Sequence, residues 1–61
     1  MQLKELANGA FFRFETDPPD VRRKVMGTGG PLVAVETWGA MTRSESTFLA
    51  TLAVVPLEPP A

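Results

Sequence analysis

The sequence predicts an all-β fold: a small antiparallel curled sheet of three to five strands, with at most one helical turn. Short apolar segments rich in β-branched and aromatic residues alternate with clusters of Gly, Pro, Asn and Asp, a pattern typical of strands separated by turns. The chain has only 61 residues, which limits it to one domain with one small core. We expect residues 1–56 to form that domain and residues 57–61 to be an extended Pro-rich tail.

The first predicted strand follows the pair Asn8-Gly9, which tolerates the positive φ of a tight turn. It covers residues 10–15, and its alternation points Phe12 and Phe14 to the core side. The opposite side receives Phe11, Arg13 and Glu15.

The second predicted strand begins after Asp17-Pro18-Pro19-Asp20, where two prolines fix φ and remove backbone donors. Its alternation separates two sets of side chains: Val21, Arg23 and Val25 on one face, and Arg22, Lys24 and Met26 on the other. The three consecutive basic residues therefore cannot all point the same way. Such a half-charged strand is typical of a sheet edge.

Residues 27–31, Gly-Thr-Gly-Gly-Pro, are predicted to be a flexible hairpin connection. A phosphate-binding loop is the less favoured interpretation, because no helix follows these glycines. The β-branched run 32–37 after them is predicted to be the central strand, ending at Trp38-Gly39.

Residues 40–46 are polar enough to predict a loop or wide turn. Two interpretations stay open for residues 42–50, because Thr42-x-x-Glu45 matches a helix capping box while the residues from Thr47 onward also alternate as in a strand. We favour a last strand over residues 52–55, closed by Pro56, with a helical turn allowed before it.

The residue inventory argues against an enzyme. The chain has no His, Cys or Tyr, so its Ser and Thr hydroxyls have no histidine to act as a base. A metal site at Glu15, Asp17, Asp20 and Glu36 is considered but not favoured, because the spacing lacks the ligand pattern of a calcium loop. We therefore expect no catalytic residue, no metal and no cofactor.

Charge and hydropathy set the expected location. Six basic and seven acidic residues give a net charge of −1, which predicts no long-range field for nucleic acid or anionic lipid. No apolar run approaches the roughly 20 residues of a membrane span, and the N-terminus is unlike a signal sequence. The expected location is cytoplasmic, without contact to a membrane.

A partner is expected because a chain of this size gains little net stability from its core and has no disulfide or His-based metal site to add. Trp38 is predicted to pack in the core or at a barrel end in preference to anchoring an interface, and Phe11 is the better candidate for an apolar contact that a partner covers. The tentative partner-binding residues are Phe11, Arg13, Arg22, Arg23, Lys24 and Trp38.

One layout covers residues 3–55: a Leu-x-x-Gly turn, a Phe-x-Phe strand, a basic strand, a Val-rich strand and a final Val54-Val55. Its first part reads Leu3-x-x-Leu6-x-x-Gly9-Ala10-x-Phe12-Arg13-Phe14. This layout resembles short phage and bacterial proteins of uncharacterised function that are built as Src-homology-3-like small β-barrels. The resemblance implies a partly open barrel, a phage source, and hence the host cytoplasm or a virion; it implies no catalytic residues. Pro18-Pro19 and residues 38–46 depart from the layout.

Three functional hypotheses follow. The leading one is a non-enzymatic protein-interaction module, homo-oligomeric or bound to a larger protein, such as a phage accessory or host-modulating protein. The second is a small nucleic-acid-binding β-barrel that uses Arg22, Arg23 and Lys24, with Phe11 or Trp38 stacking on bases. The third, by analogy of size alone, is an enzyme whose active pore is assembled from several copies.

Overall fold

The computed structural model describes residues 1–39 and 42–58 of the chain. Its elements are a 3₁₀ turn at Leu3–Glu5 and five strands: β1 at Phe11–Phe14, β2 at Arg22–Gly29, β3 at Leu32–Trp38, β4 at Arg43–Leu49 and β5 at Val54–Leu57. No α-helix occurs in these described ranges. The all-β prediction is confirmed, with the strand number at the upper end of the expected range.

The five strands form one antiparallel sheet in the order β4-β3-β2-β1-β5. The sheet is not closed, so β4 and β5 are its two edges. Neighbours in sequence are also neighbours in space, except that β5 returns to pair with β1. The two edges of the sheet differ in length: β4 has seven residues and β5 has four.

The N-terminal segment lies across the chain that connects β4 to β5. Leu3 N–H donates to the Leu52 carbonyl at 2.8 Å, and Lys4 N–H donates to the Ala50 carbonyl at 2.8 Å. The Leu3 side chain is fully buried, which anchors the segment in the core. The first residues are therefore part of the domain.

The core lies on one side of the sheet and consists of Leu3, Phe12, Val25, Val33, Val35, Ala50 and Val54. Phe12 is fully buried, whereas Phe14 is half-buried and packs at the margin of the core with Leu6 and Phe48. Burial of a side chain such as Phe12 contributes about 1.5–3 kcal/mol. The prediction that Phe12 and Phe14 face the core side is confirmed.

Two local features shape the hairpin between β2 and β3. Gly30 has φ +63° and leads a two-residue turn with Pro31, an arrangement that suits a type II′ turn, in which Gly occupies the first position. The turn is shorter than the predicted connection, because Gly27, Thr28 and Gly29 belong to β2. A bulge between Val25 and Gly27 displaces Met26, which is exposed.

The predicted loop over residues 40–46 is wrong for residues 43–46, which form the first part of β4. The capping box at Thr42-x-x-Glu45 starts no helix, and the helical alternative for this region is not realised in residues 42–50. β3 offers a continuous ladder of partners from Leu32 to Trp38, and this pairing overrides a local preference worth about 1 kcal/mol. Ala40 and Met41, also in the predicted loop, lie outside the described residues.

The end of the chain differs from the expectation by a small shift. Pro56 lies inside β5, opposite Phe12, and does not close the strand. An edge strand accepts a proline whose missing N–H would point away from the sheet. β5 reaches Leu57, and residues 59–61 of the predicted tail lie outside the described residues.

Candidate functional site

The outer face of the sheet is the side opposite the core, and strand pairing identifies its members. Residues directly opposite each other in an antiparallel pair point to the same side. Phe11 lies opposite Lys24, which in turn lies opposite Glu36, and Trp38 lies opposite both Arg22 and Arg43. The outer face in this region consists of Phe11, Arg13, Arg22, Lys24, Glu36, Trp38, Arg43, Glu45, Val55 and Leu57.

Five of the six predicted partner-binding residues share this outer face: Phe11, Arg13, Arg22, Lys24 and Trp38. The sixth, Arg23, points to the core side, as the alternation of the basic strand predicts. Arg43 joins the face from β4, a position that was predicted to be a loop. Its face could not be assigned from the sequence, because a loop gives no periodicity from which to assign one.

Phe11 and Trp38 form an aromatic pair on the outer face. Their ring centroids are 6.1 Å apart with the planes tilted by 33°, and both side chains are half-buried. The Lys24 ammonium lies 5.8 Å from the Phe11 centroid, within cation–π range. The structure thus places two aromatic surfaces beside a row of cations.

Trp38 does not join the core, so its predicted packing there is wrong. The neighbouring Thr37 accepts a hydrogen bond from Arg23 on the core side at 3.0 Å, and alternation along β3 then turns Trp38 outward. Trp38 instead packs against Phe11. Phe11 was predicted to be exposed for contact with a partner, and it is half-buried. The two aromatic residues therefore act as one surface feature.

The charge of the outer face is positive. Four cations, Arg13, Arg22, Lys24 and Arg43, share it with two carboxylates, Glu36 and Glu45. Glu36 is buried and ion-paired with Arg43, at 3.2 Å between Oε2 and Nη2. The positive balance arises locally, in a chain whose net charge is −1.

Arg23 and Asp17 form a bidentate ion pair on the core side. Arg23 Nε donates to Asp17 Oδ2 at 2.8 Å and Arg23 Nη2 donates to Asp17 Oδ1 at 2.9 Å. The Arg23 guanidinium also stacks over Phe14, with 4.7 Å between its central carbon and the ring centroid. With side chains only 17% and 10% exposed, this pair joins the loop after β1 to the start of β2.

Asp17 has a second partner, the N–H of Phe14, which donates to Oδ2 at 2.8 Å. The hydrogen bond from Arg23 lowers the pKa of the Asp17 carboxyl below its usual value of 3.8, and the Phe14 bond acts in the same direction, while desolvation opposes both. Sequence analysis named Asp17 only in the turn before the second strand and in a metal site that was not favoured. An Asp three residues after a strand residue, where it can accept that residue's N–H, was the available signal for its structural role.

The two edges of the sheet differ in length and protection. β5 has four residues and includes Pro56, a feature that discourages further pairing. β4 has seven residues, no Pro and no Lys, and six of its side chains are exposed. β4 is the longer and less protected edge, since Arg43 and Glu45 are its only charged residues.

Acidic side chains are not gathered into a site. The structure places Asp17 against Arg23 and Glu36 against Arg43, on opposite sides of the sheet. Within residues 1–39 and 42–58, no group of three or more acidic side chains lies close enough to hold a metal ion. The same ranges contain no helix with the length and apolarity of a membrane span.

Comparison with protein families, curated proteins and solved structures finds no match for this chain. The Src-homology-3-like resemblance therefore stays a prediction.

Proposed function

We propose that this protein is a non-enzymatic interaction module that pairs strand β4 with the β4 of a second copy. The observation that supports the proposal is the row of backbone groups along β4 that point away from the sheet. An exposed strand edge with such groups is a template for another strand.

Two hydrogen bonds at the ends of β4 fix the direction of these groups. Gly39 N–H donates to the Thr42 carbonyl at 2.9 Å, and Ala50 N–H donates to the Pro31 carbonyl at 2.9 Å, so residues 42 and 50 face β3. Hydrogen-bonding direction alternates along an antiparallel strand. The N–H and C=O groups of Arg43, Glu45 and Thr47 therefore point outward.

A second copy of β4 is a fitting occupant because an antiparallel pair of identical strands satisfies both edges at once. Placing Glu45 opposite its own copy would oppose two like charges. Within residues 43–49, placing Ser46 on the twofold axis allows about eight inter-strand hydrogen bonds, against about four with Ser44 on the axis. The Ser44 register gains ion pairs between Arg43 and Glu45 of the two copies, but exposed pairs contribute only about 0.2–1 kcal/mol each.

Hydrogen bonds decide between these registers, since each adds about 0.5–1.5 kcal/mol. We therefore place Ser46 on the axis, with Glu45 opposite Thr47 of the second copy. Pairing of this kind also supplies the added support that a chain of this size without cysteine needs. The absence of His, Cys and Tyr from the sequence supports the non-enzymatic part of the proposal.

The first test is the solution mass by light scattering, at low and high salt, for the native chain, Thr47→Pro and Thr47→Ala. Proline at position 47 removes an outward N–H without disturbing the ladder to β3, whereas alanine keeps that N–H. We expect dimers for the native chain and Thr47→Ala, and a folded monomer by circular dichroism for Thr47→Pro. At about 100 μM, a dimer with a dissociation constant of about 100 μM or less is well populated. A native chain that is monomeric at this concentration contradicts the proposal, as does a dimer of Thr47→Pro.

The register has its own test, because the chain contains no cysteine and each single-cysteine variant carries one thiol. With Ser46 on the axis, its two Cα atoms are about 4.5 Å apart, within the range of a disulfide. Ser46→Cys should cross-link into a covalent dimer on mild oxidation, and Ser44→Cys should not. Cross-linking of Ser44→Cys alone would support the alternative register.

A further inference from the structure

We infer that the outer face binds single-stranded nucleic acid, with Phe11 and Trp38 stacking on bases and Arg13, Arg22 and Lys24 contacting phosphates. This inference concerns a different surface from the β4 edge and stands independently of self-association. It rests on three observations: the aromatic pair, the cations beside it, and the binding of Asp17 and Glu36 by arginines.

The aromatic pair supplies the stacking surface. Phe11 and Trp38 lie on β1 and β3 with ring centroids 6.1 Å apart, and both retain partial exposure. Aromatic side chains on a sheet stack on unpaired bases with little dependence on sequence. A duplex hides the faces of its bases, so this arrangement favours a single strand.

The cations lie beside the rings on the same side of the sheet. Arg22 lies opposite Trp38, and Lys24 lies opposite Phe11 with its ammonium 5.8 Å from the ring centroid. Neighbouring strands are about 4.8 Å apart, so the row from β1 to β4 extends about 14 Å across the sheet. This extent accommodates a short stretch of one strand, with its backbone running across the basic side chains.

Two of the acidic residues near the proposed site are bound by arginines. Asp17, which follows β1 closely in sequence, is bound by Arg23 on the core side. Glu36 is buried and bound by Arg43. Glu45 is the remaining carboxylate among the outer-face residues named above, and it lies at the β4 edge, away from Phe11.

Trp38 gives a direct readout, because it is the only tryptophan and the chain has no tyrosine. Its fluorescence is titrated with an oligothymidylate of about twelve nucleotides, a length within the site sizes of small sheet-based binders. We expect quenching at about 50 mM salt, weaker binding to a duplex of equal length, and a log–log salt slope near −2 from about three phosphate contacts.

Two substitutions on the face and one off it separate the contributions. Phe11→Ala should weaken binding roughly tenfold through lost stacking. Lys24→Gln should reduce the magnitude of the salt slope by about 0.7, and the matched control Lys4→Gln, on the exposed 3₁₀ turn, should leave it unchanged. Circular dichroism verifies folding, and Lys24→Gln alone keeps the test valid if Phe11→Ala does not fold.

Inorganic polyphosphate and polyglutamate serve as anions without bases. Absence of oligonucleotide binding at about 50 mM salt overturns the inference, since phosphate contacts are strongest there. Equal affinity for polyphosphate would indicate a plain anion site, and preference for polyglutamate would indicate an acidic protein segment; either result also overturns it. An equal effect of Lys4→Gln and Lys24→Gln would show that binding is not located on the outer face.

Discussion

Arg22 and Arg23 are neighbours in sequence, yet they belong to different surfaces of the molecule. Arg23 points to the core side, where Asp17 binds it with two hydrogen bonds and Phe14 stacks beneath it. Arg22 points to the outer face and is exposed opposite Trp38. Arginine therefore has a different role on each face of this strand. On the core side Arg23 stabilises the fold, and on the outer face Arg22 is exposed and available for binding.

Phe12 and Phe11 on β1 are divided between the two faces in the same way. Phe12 is fully buried in the core, whereas Phe11 lies half-buried against Trp38. Side-chain type alone does not assign a role in this sheet. The role of a side chain depends on whether it faces the core or the outer face.

Replacing Phe12 should have the largest effect on stability. Phe12→Ala leaves a cavity in the core and should lower the free energy of unfolding by about 3–5 kcal/mol, which is much of the total of about 3–9 kcal/mol expected for this length. Phe11→Ala, the matched change on the outer face, should cost about 1 kcal/mol through the lost aromatic contact. Urea denaturation followed by Trp38 fluorescence measures both, and equal losses would contradict the division between the faces.

Replacing the two arginines should produce a smaller contrast of the same kind. Arg23→Ala leaves the half-buried Asp17 carboxylate without its cation and should cost about 2 kcal/mol, below the 3–5 kcal/mol of a fully buried pair. Arg22→Ala should stay within about 0.5 kcal/mol, as surface substitutions do. Thermal denaturation of the two variants gives the comparison, and a larger loss for Arg22→Ala would reverse the assignment.

The stabilisation from Asp17 should depend on pH. Its pKa in the folded chain lies below the usual 3.8, so the contribution is fully present above that value and is lost as pH falls through the folded-state pKa. The difference in unfolding free energy between the native chain and Asp17→Asn should therefore be constant near neutral pH and shrink below about pH 4. Asp20→Asn, at an exposed position of the same loop, serves as the control. A difference that grows on acidification would contradict the ion pair.

Sequence analysis predicted the alternation of β1 and β2 because apolar and charged residues alternate along both strands. It therefore placed Phe12 and Phe14 on the core side and Arg23 on the same face as Val25 correctly, although it also counted Arg23 among the partner-binding residues. β4 was missed because its residues, among them Ser44, Glu45 and Ser46, are polar on both sides, and its strand conformation comes from pairing with β3. Trp38 was misplaced because it was predicted to end the strand, whereas β3 includes it and the alternation that buries Val33 and Val35 turns it outward.

A smaller effect is expected from the second ion pair, which lies on the outer face. Arg43 is 67% exposed and Lys24, opposite the buried Glu36 on the neighbouring strand, can take over part of the pairing, so Arg43→Ala should cost about 1 kcal/mol. At about 1 M salt the Debye length falls to about 3 Å, which should reduce this difference more than the loss from Arg23→Ala. Urea denaturation at low and high salt measures both variants. Both partners of the Arg23–Asp17 pair are shielded from solvent, whereas Arg43 is exposed beside the buried Glu36, so equal salt sensitivity of the two pairs would show that the faces do not differ in the way the structure indicates.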